Sequence, residues 1–84
     1  MTTGDRARLL ALDRCLVLLE DALLRGKARV DAPLAYGLRG LLGTAGLVPD
    51  HRLEGRRTER VLDDIFELQA RVMGVEQEEQ AAQA

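Results

Sequence analysis

Apolar residues recur along this chain at helical spacing in three separate blocks. In the first, from Asp5 to Arg25, Leu9, Leu12, Leu16, Leu19 and Leu23 alternate steps of three and four, the seam of a helix that faces a partner. Ala11, Cys15, Leu18 and Ala22 form a second apolar row beside it, and Leu10, Val17 and Leu24 a third. Polar residues are confined to Asp13 with Glu20 and Arg14 with Asp21. A surface helix normally carries an apolar stripe somewhat over about 100° wide, whereas here about five of seven heptad rows are apolar. Such a helix must be covered on several sides, by its own subunit and by a symmetry mate. Leu10, Leu12, Leu16, Val17, Leu19 and Leu24 are therefore the expected oligomer interface. Gly26 and Lys27 mark its C-terminal cap, giving a helix over about 5–25.

The second block opens at Asp31, a side chain suited to an N-cap, with Pro33 in the first turn where its missing N–H does no harm. Leu34, Leu38, Leu41, Ala45 and Val48 then give a seam with Leu42 alongside, predicting a helix over about 32–46. Glycine falls on a stride of three through it, in GLRGLLGTAG at residues 37–46. Each interior glycine costs a helix about 1 kcal/mol against alanine. Successive glycines at this stride turn back by about 60° each, so Gly37, Gly40, Gly43 and Gly46 fan around the helix rather than lining one groove. Spacing four, required by small-residue helix dimers, is absent. Leu47-Val48 stands where a Walker loop needs Lys-Ser/Thr, and no strand precedes the run as a dinucleotide fingerprint requires. Two readings remain: drift of glycine into exposed positions of a GC-rich, bacterial-looking chain, or close packing or a hinge at Gly40 and Gly43.

Val48-Pro49-Asp50 breaks the chain, and Val61, Ile65, Leu68, Val72 and Val75 form a third seam accompanied by Leu62, Phe66, Gln69 and Met73. The predicted helix covers about 56–73, starting at Asp50 or near Thr58 and capped by Gly74. EQEEQAAQA, residues 76–84, has no apolar face and is expected to be a frayed or disordered acidic tail. The fold class is thus all-α: one domain over 1–75, a three-helix antiparallel bundle completed by self-association.

Composition sharpens this picture. At 84 residues, a single core leaves only a few kcal/mol after chain entropy. Tyr36 and Phe66 are the only aromatics, so the core is aliphatic, with Met73 filling gaps. The lone Cys15 cannot close a bridge within the chain and points to a reducing compartment, the cytoplasm by default. Asp13, Arg14, Glu20 and Asp21 interrupt the apolar stretch of residues 9–24, excluding a membrane span there. The net charge of -2 becomes +1 for residues 1–75, 12 cations against 11 carboxylates, once Glu76, Glu78 and Glu79 are set aside.

Candidates for chemistry are few. His51 has no second ligand at metal spacing, and Cys15 falls on an apolar face with no histidine near it in sequence. Neither a metal nor a cofactor is expected. Asp63, Asp64 and Glu67 are explained by solvated ion pairs, Arg60 with Asp64 and Glu67 with Arg71. The stretch HRLEGRRTER sets Arg52, Arg56, Arg57 and Arg60 at a helix start, where the macrodipole disfavours positive charge. These arginines are a candidate grip on an anionic partner, joined by Lys27 and Arg29.

Three functions follow. The first is a non-enzymatic protein–protein interaction module, a homo-oligomeric adaptor or regulatory subunit whose partner is itself or another helical protein. The second is a DNA-binding regulator with a helix-turn-helix at Gly46-Leu47, although Arg52 and Gly55 stand where that motif places apolar residues. The third is a small all-α enzyme. The size, the leucine-rich first helix and the scattered arginines resemble the all-α chorismate mutases in general pattern, which implies dimers that hold a dicarboxylate with Arg and Lys. No motif matches residue by residue, so no catalytic residue is assigned. The first reading is preferred.

Overall fold

The computed structural model describes residues 3–47, 49 and 52–83, with side chains described as far as Gly74. Three helices form: α1, Thr3–Leu24; α2, Ala32–Thr44; and α3, Thr58–Gln83. They make a three-helix bundle in which α1 packs against both α2 and α3. Val48, Asp50 and His51 lie outside the described residues, as do the side chains of Val75 and the tail glutamates.

The predicted N-cap of α2 forms, and a glycine closure not expected from the sequence ends the helix. The Asp31 side chain accepts from the Leu34 N–H at 2.9 Å, and Pro33 stands in the first turn. Lys27, hydrogen-bonded to Asp31 at 2.6 Å, and that backbone N–H hold the Asp31 carboxyl below the ordinary carboxylate range. At the other end, the Leu47 N–H reaches back to the Leu42 carbonyl at 2.7 Å while Gly46 takes φ +71°. This closure needs a left-handed residue, and glycine adopts that conformation without steric cost. One member of the glycine stride is thereby explained. Close packing at Gly40 and Gly43 is not: a Cβ at either would meet nothing within 4 Å, and neither has positive φ. α3 departs from expectation at its far end, because the backbone stays helical through Gly74 to Gln83 rather than stopping at Met73.

Helix direction follows from side-chain contacts. Thr58, at the start of α3, bonds the Lys27 carbonyl just beyond α1, and Gln69 donates to Asp13 near the middle of α1. α3 therefore runs antiparallel to α1. Leu18 lies 3.5 Å from where a Cβ on Gly37 would stand, while Lys27 pairs with Asp31, so α2 is also antiparallel to α1. α2 and α3 consequently point the same way, and the chain must travel back along the bundle between them. The described residues between Ala45 and Arg57 belong to that return, and α2 and α3 each pack on α1 rather than closely along one another.

At the end where α3 begins, the two connections are stitched together. Val30 N–H donates to Arg56 O at 2.8 Å, Gly55 N–H to Val30 O at 2.8 Å, and Thr58 N–H to Ala28 O at 2.9 Å, an isolated antiparallel bridge around Arg29 and Arg57. Gly55, at φ +86°, occupies the third position of the Leu53–Arg56 turn, a place that demands a left-handed residue. Val30 and Leu53 are buried beneath this bridge. They join Leu12, Cys15, Leu16 and Leu19 of α1, Ala35, Leu38 and Leu42 of α2, and Val61 and Ile65 of α3 in one core.

Candidate interaction face on helices one and three

The core answers how much of α1 is spoken for. Leu12, Leu16 and Leu19, expected at an oligomer interface, are 0%, 9% and 0% exposed within a single subunit. The expectation fails for these three because α2 and α3 flank α1 and the bridged connections close its C-terminal end, so one subunit hides the middle of the seam and half-buries Leu9 and Leu23 at its ends. Leu10, Val17 and Leu24 behave otherwise. At about 100° per residue their row stands opposite the buried seam, between the Asp13/Glu20 and Arg14/Asp21 rows. All three are exposed.

Among the described residues six large apolar side chains are exposed: these three, Tyr36, Phe66 and Met73. Sequence periodicity had assigned Phe66 and Met73 to the accompaniment of the third seam and Met73 to filling the core, yet they are 47% and 48% exposed. Their positions relate them to α1. Gln69 of α3 donates to Asp13 of α1 across the exposed seam of the two helices. Leu10 and Val17 lie three before and four after Asp13; Phe66 and Met73 lie three before and four after Gln69. Residues at those offsets share one helix face. Because the helices are antiparallel, Val17 is level with Phe66 and Leu10 with Met73, to within a residue. The result is an apolar frame around one hydrogen-bonded polar pair, extended along α1 by Leu24, and only Tyr36 of the six stands elsewhere.

The arginine cluster is divided by the fold. Arg56 and Arg60 share a single carboxylate, Asp64, at 3.5 and 3.8 Å. They line a groove of about 440 Å³ between the return connection and α3, floored by Leu42, Leu53, Val61 and Ile65, with Arg71 and Glu67 at 3.3 Å on the same rim. Arg52 pairs with Glu54 at 3.1 Å within its own loop. Arg57 is exposed beside Arg29, whose guanidinium donates to Gly55 O at 2.9 Å, while Lys27 is engaged by Asp31. Solvated local ion pairs thus engage Arg52, Arg56, Arg60 and Lys27. The pairs Arg60–Asp64 and Glu67–Arg71 form as their spacing predicts.

The helix-turn-helix arrangement does not form. α2 and α3 are separated by the whole Ala45–Arg57 connection instead of the roughly three- to four-residue turn of that motif.

Cys15 is fully enclosed, and burial pushes its thiol up to about 11, away from the thiolate a nucleophile needs. Among the described residues no three of His, Cys, Asp and Glu come together in a way that could hold a metal ion, and no helix is long and apolar enough to cross a membrane. His51, expected near a helix start, lies outside the described residues. No protein-family model, curated protein or solved structure matches the chain.

Proposed function

We propose that this chain is a small non-enzymatic interaction module, an adaptor or regulatory subunit, that works through the exposed α1–α3 face. One observation carries the reading: five of the six exposed large apolar side chains among the described residues fall on this face. Isolated exposed leucines are ordinary, but several gathered on one face of rigid elements suit an association surface. The face is presented by two long helices whose inner sides are anchored in the core, so binding requires no rearrangement of the fold. An amphipathic helix laid along the α1–α3 seam would bury apolar side chains on both flanks, the helix-in-groove mode of recognition.

Titration of the isotope-labelled protein with a synthetic amphipathic helix carrying a leucine stripe tests this reading. Amide shifts should change around Leu10, Val17, Phe66 and Met73, and should not change in a Val17→Glu, Phe66→Asp double variant that keeps the wild-type circular dichroism. Shifts confined to the Arg56–Arg60 groove, with none on α1, would move the working surface elsewhere and refute the proposal.

A further inference from the structure

Building on the reading of the α1–α3 face as an association surface, we infer that its occupant is a second copy of this chain, related by a twofold axis parallel to the helices. The frame around Asp13 and Gln69 supplies the geometric reason. The apolar offsets are the same on both helices, minus three and plus four, and the antiparallel register sets Val17 level with Phe66 and Leu10 level with Met73. A half-turn about an axis along the helices keeps every level. It places α1 of one subunit opposite α3 of the other, so that Val17 meets Phe66 of the partner subunit and Leu10 meets Met73 of the partner subunit. Each smaller aliphatic side chain then faces a longer one, and each helix gains an antiparallel neighbour, the arrangement of four-helix layers. Such an interface is isologous and closes at two subunits.

Area supports the same occupant. Leu10, Val17, Leu24, Phe66 and Met73 are between 47% and 88% exposed and together present on the order of 500 Å² of apolar surface, at the upper end of what a typical monomer shows. A standard interface takes roughly 800 Å² per partner, so this apolar area would supply the larger part of one. The polar pair at its centre enters with one hydrogen bond already made, Gln69 donating to Asp13, which lowers the cost of covering it without removing that cost.

The test uses single-cysteine additions to the full chain, Val17→Cys and Phe66→Cys, with the enclosed Cys15 left in place, together with sedimentation equilibrium of the wild type. The expected results are a wild-type dimer at micromolar to millimolar concentration and fast disulfide formation in a mixture of the two variants. Neither variant alone should cross-link at that rate, and Val17→Glu should weaken dimerisation about a hundredfold. Preferential cross-linking of Val17→Cys to itself would overturn the axis. A wild-type monomer whose α1–α3 amides still respond to the leucine-stripe peptide would overturn the second copy and leave the interaction face standing. A monomer with no response on that face would remove both.

Discussion

At the scale of single residues, the glycine stride separates into one requirement and several permissive sites. Gly46 terminates α2 in a left-handed conformation, whereas Gly40 and Gly43 face open space. Replacing Gly40 or Gly43 with alanine should stabilise the protein by about 0.5–1 kcal/mol each, through higher helix propensity and a less flexible unfolded chain. Gly46→Ala should destabilise it by about 1 kcal/mol. Denaturant titrations at matched concentration measure all three, and a loss of stability in Gly40→Ala would restore the packing role that the geometry denies it. The stride was legible in the sequence. Its division was not, because left-handed φ and neighbouring space are properties of the folded backbone.

Among the elements, the three helices were readable because apolar periods of 3.6 residues are local. The stitched connections were not, since Thr58 finds Lys27 and Gly55 finds Val30 across 31 and 25 residues of chain. Nothing in GKARV or RLEGRRT announces a β-bridge. Gly74 misled in the opposite sense: it reads as a cap, but with no left-handed turn formed there α3 continues through it. The buried hydroxyl of Thr58 donates to the Lys27 carbonyl at 2.8 Å and ties the start of α3 to the end of α1. Thr58→Val keeps the volume and removes the donor, and should cost about 1–3 kcal/mol. Thr58→Ser should retain most of that loss. Chemical denaturation of the two variants decides it, and equal stabilities would mean the hydroxyl contributes nothing beyond packing.

For the molecule as a whole, the question is which apolar rows the subunit hides. The wide leucine face of α1 was evident from the sequence, and so was its excess over a normal stripe. Which rows remain outside depended on where α2, α3 and the two connections settle, and they settle over Leu12, Leu16 and Leu19 while leaving Leu10, Val17 and Leu24 uncovered. The repeated offsets around Asp13 and Gln69 were present in the sequence too, but only the antiparallel register brings the two halves together. Self-association through this face predicts a stability linked to protein concentration, since a second copy that binds only the folded state raises the melting temperature by mass action. Thermal unfolding of the wild type and of Val17→Glu over a hundredfold range of concentration tests this most directly. The account predicts a wild-type melting temperature that climbs with concentration and a Val17→Glu value that does not. Two flat, coincident dependences would contradict it.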